Sequence, residues 1–212
     1  MFRLAYKPVL KASVLTAGVG ACAYLYVKPA NALTEAEHGL HAPNYPWTQN
    51  GLTSTFDHQS IRRGYQVYRE VCSTCHSLDF VKWLDLVGVS HTSSEARAMA
   101  AEFEYDDEPD DEGNPRKRPG KLLDKMPAPY PNEQAARAAN QGALPPDLSL
   151  MTKARHNGVN YVFALLTGYP EEPPAGAQVA SGMNYNPCFP GGGIGLARVL
   201  YEHLILSADG TP

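Results

Sequence analysis

The chain has 212 residues, of which 43% are hydrophobic and 19% are charged, a composition typical of a globular protein with one main domain. The formal net charge is −4, and the sequence holds no large basic patch, which disfavours nucleic acid as a partner. Eighteen glycines and eighteen prolines predict many turns and long irregular connections.

Residues 1–33 differ from the rest of the sequence. They contain four basic residues and no acidic one, and an apolar run over 12–27 leads to the small-x-small sequence Ala30-Asn31-Ala32. This pattern predicts a cleavable targeting and sorting segment over 1–33 and leaves 34–212 as the main domain. An uncleaved membrane anchor is the alternative, although a span needs about 20 apolar residues. Residues 33–212 keep 14 basic and 22 acidic side chains, a net charge of −8.

The only Cys-x-x-Cys-His sequence is Cys72-Ser73-Thr74-Cys75-His76. Its spacing predicts covalent attachment of one c-type haem through both thiols, with His76 as an axial ligand of the iron. Apolar residues and cysteines upstream follow steps of four, three, four and three residues, which is the spacing of one helical face. These residues are Ile61, Tyr65, Tyr68, Cys72 and Cys75. The pattern predicts a helix that runs into the haem site.

Two other kinds of site use a Cys-x-x-Cys pair. A structural zinc site needs four ligands, but the remaining cysteines are Cys22, in the predicted leader, and an isolated Cys188. A thioredoxin-like redox pair is expected near a βαβ pattern, which the surrounding sequence does not show. The sequence therefore favours haem.

Eight of the eleven residues over 102–112 are acidic, and a basic stretch follows at Arg116–Arg118 and Lys121. Such a run is either a solvated, poorly ordered loop or a docking surface for a basic partner, because a single-sign patch accelerates association. Composition alone leaves both interpretations open. The candidate docking residues are Glu102, Glu104, Asp106, Asp107, Glu108, Asp110, Asp111 and Glu112.

Short helices among Pro/Gly connections are predicted for the remainder, with weak strand signals. Their predicted bounds are 94–103, 132–140, 161–167 and 198–206. Ser93 or Ser94 is the expected N-cap of the first and Asn132 that of the second, while Gly142 and Gly168 follow the ends of the second and third.

The ordered motifs resemble cytochrome c1, the c-type haem subunit of the ubiquinol–cytochrome c reductase (bc1) complex, over nearly all of residues 35–212. Besides the haem pentapeptide, the matching runs are 36–40, 60–68, 86–90, 132–137, 142–149, 153–156, 165–169, 186–187 and 189–191. The resemblance implies a mainly α, class I-like cytochrome c domain with long Pro/Gly-rich loops and little strand.

The resemblance also implies roles for individual residues. Cys72 and Cys75 hold the haem, His76 is the proximal ligand, and Arg155 lies near a haem propionate. The Pro145-Pro146 turn packs beside the haem on the His76 side. The acidic run falls where the family has one, which favours the docking interpretation.

The implied work is electron transfer from the Rieske iron–sulfur protein to soluble cytochrome c, next to cytochrome b. A small acidic hinge-type subunit is a further expected partner, and the chain is not expected to be an enzyme by itself. The implied location is the mitochondrial inner membrane, on the intermembrane-space side, with a bacterial periplasmic face as the alternative.

The sequence departs from the family at the sixth ligand of the iron. The family has a methionine in a segment Ile-x-Met-Ala, where this chain has Ile194-Gly195-Leu196-Ala197. Leucine cannot coordinate iron, so a lower reduction potential and an open sixth site are expected. A divergent haem protein that binds small ligands or turns over peroxide is therefore the alternative function. Met183 is the nearest methionine in sequence and a second candidate for the sixth ligand.

Family members continue past the match at 209–212 into a C-terminal membrane helix, whereas this sequence stops at Pro212. The expectation is therefore a fragment, an altered gene product without function, or a protein held in place only by its partners.

Overall fold

The computed structural model describes residues 38–201, so the predicted leader and residues 202–212 lie outside the described part of the chain. Short helices dominate residues 38–201, with only two small antiparallel sheets, which confirms the predicted mainly α fold. The α-helices are α1 (His58–Glu70), α2 (Ser93–Ala101), α3 (Glu133–Ala139), α4 (Met151–Ala154) and α5 (Gly158–Thr167). 3₁₀ turns occupy Thr48–Asn50, Cys72–Thr74 and Trp83–Leu86. The sheets pair β1 (Glu104–Asp107) with β2 (Arg116–Pro119), and β3 (Asn184–Tyr185) with β4 (Gly193–Ile194).

Within residues 38–201, no helix is both long enough and apolar enough to cross a membrane.

Helix α1 leads directly to the cysteine pair. Its N-cap is Asp57, whose carboxylate accepts hydrogen bonds from the backbone N–H groups of Gln59 and Ser60. Ile61, Tyr65 and Tyr68 are half-buried on the face that the spacing predicted. The α-helix ends at Glu70, and the chain then tightens into the 3₁₀ turn Cys72–Thr74. The predicted helix is confirmed, but the thiols leave from the turn that follows it.

Helix α2 is fastened to α1 at its N-terminus. Its N-cap is Thr92, so the predicted cap at Ser93 or Ser94 is wrong by one or two positions. The Thr92 hydroxyl accepts from the Glu95 N–H, and the Glu95 carboxylate accepts from the Thr92 N–H, which is a capping box. Glu95 also pairs with Arg62 of α1 at 2.7 Å. The hydrogen bond from Arg62, followed by those from Thr92, lowers the pKa of Glu95 to about 2.

In the later helices, the capping residues were predicted more accurately than the first and last residues of each helix. The Asn132 side chain caps α3 by accepting from the Ala135 N–H at 2.9 Å. Helix α5 ends before Gly168 as predicted, but it begins at Gly158 rather than at 161. The helix predicted over 198–206 is wrong for residues 198–201, which are irregular. The rest of that prediction lies outside the described residues.

The main hydrophobic core joins α2, the Trp83–Leu86 turn and β1. The Trp83 indole N–H donates to the Tyr105 hydroxyl at 2.9 Å, and that hydroxyl donates to the Lys125 carbonyl at 2.7 Å. The Phe103 ring stacks on Trp83 with centroids 5.6 Å apart. The buried core residues are Trp83, Leu86, Ala96, Met99, Ala100 and Met126.

The acidic run and the basic stretch after it form one hairpin. Strand β1 pairs with β2 so that Asp106 lies opposite Lys117 and Asp107 opposite Arg116. Lys117 pairs with Asp106 at 2.5 Å, and Arg118 forms two hydrogen bonds with the Asp124 carboxylate at 2.6 and 2.7 Å. A poorly ordered loop is therefore the wrong description of residues 104–107, because opposite charges across the strands offset their poor strand propensity.

Gly120 lies where β2 leaves the core. A Cβ atom there would be 2.6 Å from the Tyr105 ring and closer still to the Ala100 carbonyl oxygen. We expect Gly120→Ala to lower the free energy of unfolding by about 1–3 kcal/mol, because an overpacked core must shift. The matched variant is Gly64→Ala in α1, where a Cβ meets no described atom within 4 Å. It should stabilise by up to about 1 kcal/mol, because alanine is the better helix former. Urea unfolding measures both, and equal midpoints would contradict the packing argument.

Candidate cofactor site

The two cysteines of the pentapeptide share one tight turn. The Cys75 N–H donates to the Cys72 carbonyl at 3.1 Å, and both thiols are free and half-buried. Burial, and secondarily the thiol of Cys75, raises the pKa of Cys72, so this group is a neutral thiol at neutral pH. Within residues 38–201, no three His, Cys, Asp or Glu side chains come together as a metal cluster.

The ring of His76 is held by a backbone carbonyl. Its Nδ1 lies 2.7 Å from the Pro146 carbonyl oxygen. A carbonyl only accepts hydrogen bonds, so Nδ1 carries the proton and Nε2 keeps a lone pair for a metal. The Tyr68 hydroxyl contacts the His76 carbonyl oxygen at 3.3 Å, and burial raises the pKa of Tyr68 to about 12. Pro146 is therefore in direct contact with His76, and packing of the Pro145-Pro146 turn beside a haem stays a prediction.

The segment after Pro146 runs beside the segment after His76. The Leu148 N–H donates to the Ser77 carbonyl at 3.0 Å. The Asp147 carboxylate accepts from the Ser77 hydroxyl at 2.8 Å and from the Asp79 N–H at 2.7 Å. Asp147 and Ser77 were not predicted as site residues, because the two are about 70 residues apart in sequence. The turn-forming Pro-Pro-Asp-Leu-Ser sequence was the available signal.

Tyr130, which precedes helix α3, connects the end of this helix to the cysteine turn. The Tyr130 hydroxyl lies 3.8 Å from the Cys75 sulfur and accepts from the Asn140 side-chain amide at 3.1 Å. That amide also donates to the Ala136 carbonyl of α3 at 2.7 Å. Sequence reasoning missed both residues, since neither stands in a recognisable spacing from the pentapeptide.

Leu196 lies just beyond the small sheet of β3 and β4. The side chain is half-buried, and the Leu196 carbonyl accepts from the Tyr169 hydroxyl at 2.8 Å. A Cβ atom on Gly195 would be 3.2 Å from the Ala143 methyl group. Ala143 therefore lies close to the residue before Leu196, and Pro146, three residues further along the chain, contacts His76.

Met183 immediately precedes β3 and is close to β4. Its side chain is 44% exposed, and its sulfur is 3.4 Å from the position of a Cβ atom on Gly193. The pairing of Asn184 with Ile194 places Met183 and Leu196 at the same open end of this hairpin. Ligation of iron by Met183 stays a prediction.

The turn between β3 and β4 is organised by a buried amide. Asn186 is fully buried, with 0% of its surface exposed. Its Nδ2 donates to the Leu165 carbonyl of α5 at 2.8 Å, and its Oδ1 accepts from the Cys188 N–H at 3.0 Å. The Asn186 N–H donates to the Gly192 carbonyl at 2.8 Å. The turn that leads to Leu196 is thus attached to α5.

Arg155 follows α4 and is exposed. Its guanidinium donates to the Ala154 carbonyl at 3.2 Å. It also lies near Tyr161, where its positive charge opposes the effect of burial, which raises the pKa of Tyr161. The propionate role of Arg155 stays a prediction.

The candidate docking acids divide into paired and unpaired groups. Glu102 pairs with Arg69 at 2.5 Å, and Asp106 and Asp107 pair with basic residues of β2. Asp110 accepts hydrogen bonds from Asn114 and Glu112, which lower its pKa. No ion pair to another described residue involves the remaining four. These unpaired acids are Glu104, Glu108, Asp111 and Glu112.

The donor set fits a c-type haem. It combines two thiols at the attachment spacing with an imidazole whose Nε2 lone pair is available. Over the described residues 127–201, the buried apolar residues are Ala136, Ala164 and Ile194. Larger apolar side chains stay partly exposed there, including Leu150 at 53% and Met183 at 44%. A planar apolar group would give such side chains a surface to pack on.

Comparisons with known proteins agree with this donor set. The model of the Cytochrome C1 family matches residues 47–212. A Kluyveromyces lactis protein named "Cytochrome c1, heme protein, mitochondrial" is 69% identical over 197 residues, which span 92% of this chain and 68% of the relative. A Saccharomyces cerevisiae protein of the same name is 66% identical over 210 residues, 96% of this chain and 68% of the relative. A Candida albicans protein named "Cytochrome b-c1 complex catalytic subunit, mitochondrial" is 62% identical over 222 residues, 100% of this chain and 77% of the relative.

Proposed function

This chain belongs to the cytochrome c1 family, and we propose that it is a mitochondrial haem protein that transfers electrons as a subunit of the cytochrome b-c1 complex. It is an electron-transfer subunit rather than an enzyme by itself. Electrons would arrive from the Rieske iron–sulfur protein and would pass on to soluble cytochrome c. The chain would work next to cytochrome b on the intermembrane-space side of the inner membrane.

The observation that supports this function best is the turn that presents Cys72, Cys75 and His76 together. When bound, haem c supplies an iron that alternates between the ferrous and ferric states and so holds one electron. Cys72 and Cys75 would bind it through thioethers, and His76 would be its proximal ligand. The Pro146 carbonyl holds the Nδ1 proton of His76, which fixes the ring and makes Nε2 a stronger donor. Arg155 would bind a propionate.

A second candidate function rests on Leu196. Leu196 is half-buried and follows Gly195, which lies close to Ala143. An apolar side chain therefore stands at the position where the family has its methionine ligand. With Leu196 on that side, the protein would be a divergent c-type haem protein with an open sixth site. It would then bind small ligands or turn over peroxide. Met183, on the same hairpin, would close the site if it reached the iron.

The absorption spectrum of the purified, reduced, full-length chain distinguishes these functions. A sharp low-spin α band supports electron transfer with six ligands on the iron. A high-spin spectrum supports the open site. A chain without haem would have a purely structural role or none, and this result would contradict both proposals.

The four unpaired acids are the proposed docking charges for a basic cytochrome c, directly or through a small acidic hinge-type subunit. Neutralising Glu104, Glu108, Asp111 and Glu112 as amides should lower the association rate about tenfold at 0.01 M ionic strength. It should change the rate little at 0.1 M, because the Debye length falls from about 30 Å to about 10 Å. Stopped-flow oxidation by cytochrome c measures both rates.

The matched control is a charge swap in the hairpin. The double variant Asp106→Lys with Lys117→Asp keeps the net charge and the ion pair that joins β1 to β2. It should leave the low-salt rate unchanged. If the four-acid variant also keeps the wild-type rate at low salt, the acids are only a solvated surface.

A further inference from the structure

We infer that Asp147 is a positioning residue for His76, an inference that rests on the proposed role of His76 as the proximal ligand. Three donors converge on the Asp147 carboxylate. Its Oδ2 accepts from the Ser77 hydroxyl at 2.8 Å and from the Asp79 N–H at 2.7 Å, and its Oδ1 accepts from the Ser149 N–H at 3.0 Å. One half-buried carboxylate therefore joins two segments that are distant in sequence.

The bond between Asp147 and Ser77 lies next to the bond between Pro146 and His76. Ser77 follows His76 directly, and Asp147 follows Pro146 directly. The hydrogen bond from His76 Nδ1 to the Pro146 carbonyl is therefore adjacent to the bond from Ser77 to Asp147. Two further hydrogen bonds join the same segments: the Leu148 N–H donates to the Ser77 carbonyl at 3.0 Å, and the Phe80 N–H donates to the Ser149 hydroxyl at 3.1 Å. We call this set of hydrogen bonds between residues 76–80 and 146–149 the Asp147 ladder.

Only a carboxylate satisfies all three donors. Both of its oxygens accept hydrogen bonds, and their charge shortens and strengthens those bonds. An asparagine at 147 would replace one accepting oxygen with an NH₂ group, which would face an N–H or O–H donor. The two segments would then separate, and the Pro146 carbonyl would move relative to the imidazole.

This geometry predicts an effect on the electronic properties of the iron. A histidine whose Nδ1 proton is held by an acceptor is a more basic ligand. A more basic ligand stabilises the ferric state over the ferrous state. Loss of the Asp147 ladder should therefore weaken the His76 to Pro146 bond and raise the reduction potential.

The test compares Asp147→Asn with the wild type, both as full-length, haem-loaded chains. We expect the ferric-to-ferrous equilibrium to shift by up to about tenfold toward ferrous, a rise of at most about 59 mV in a one-electron couple. The g values of the ferric protein in electron paramagnetic resonance should change as well, because they report the axial ligand field. Ser77→Ala, which removes one of the three donors, should give a smaller shift in the same direction.

Asp124→Asn is the matched control. Asp124 also accepts several hydrogen bonds, from Arg118 of β2 and from the Lys121 N–H, but it lies in the segment that follows β2 and contacts neither His76 nor Pro146 through these bonds. It should lower the urea midpoint without moving the potential or the g values. If Asp147→Asn lowers only the urea midpoint as well, the inference is wrong and Asp147 is merely structural.

The remaining outcomes are also decisive. If Asp147→Asn does not fold, Ser77→Ala decides, and an unchanged potential in that variant overturns the inference. A wild-type chain without covalent haem, or one that keeps its g values when His76 is replaced, would instead overturn the proposed function. The two failures are therefore distinguishable.

Discussion

Replacing Cys72 and Cys75 together by alanine is expected to abolish covalent haem attachment completely. Each thiol supplies one thioether, and within the described residues the only other free cysteine is Cys188. Acid–acetone treatment and haem staining of a denaturing gel measure the attachment. The unmodified protein should keep all of its haem, and the double variant should keep none. Haem that extracts from the unmodified protein would contradict the thioether assignment.

Cys188→Ala is the control for this experiment. Cys188 is also half-buried, and burial raises the pKa of its thiol, so it resembles Cys72 in environment. Its replacement should leave haem attachment intact. His76→Ala should give a third result, in which haem stays attached but the iron loses its proximal ligand. The fold around the site should also lose stability, because part of its apolar surface would no longer be held in place.

Leu196→Met is expected to close the sixth coordination site and to raise the reduction potential. Methionine ligation favours ferrous haem, and a tenfold stabilisation of the ferrous state corresponds to a rise of about 59 mV. We expect at least this rise by spectroelectrochemistry. With Leu196 on the distal side, the unmodified reduced protein should bind carbon monoxide readily, and the variant should resist it, because a strong sixth ligand competes.

An unmodified protein that is already low-spin and inert to carbon monoxide would refute the open site. Met183 would then be the first candidate for the ligand, since it lies at the same end of the β3–β4 hairpin as Leu196. Met183→Leu would open the site in that case. If the iron stays six-coordinate in Met183→Leu as well, Met183 is not the ligand.

Local signals predicted the parts of the fold that depend on neighbouring residues. The spacing from Ile61 to Cys75 predicted helix α1 because a helical face repeats within one or two turns. Asn132 was predicted as a cap because its side chain bonds a backbone group three residues away. The N-cap of α2 was misplaced since Thr92, Ser93 and Ser94 are all good caps, and the capping box with Glu95 selects the first.

Long-range contacts were not predictable in this way. Acidic residues have low strand propensity, so β1 became recognisable only once the basic β2 was seen opposite it. The Asp147 ladder joins segments about 70 residues apart. No spacing rule relates such positions, although the motif that contains Asp147 was identified by resemblance. The propionate role of Arg155 and the ligand role of Met183 stay predictions.

The buried Asn186 has a consequence for how this family can diverge. Its amide and backbone groups attach the turn before Leu196 to α5 and Gly192, and none of these bonds involves the side chain at position 196. The loop is therefore shaped independently of the side chain at position 196, which we propose to lie on the distal side of the haem. A mutation at 196 would then change the ligand environment of the iron while the loop folds as before. Substitutions at position 196 therefore leave the fold intact, and a chain with leucine there can remain folded during evolution while its function changes.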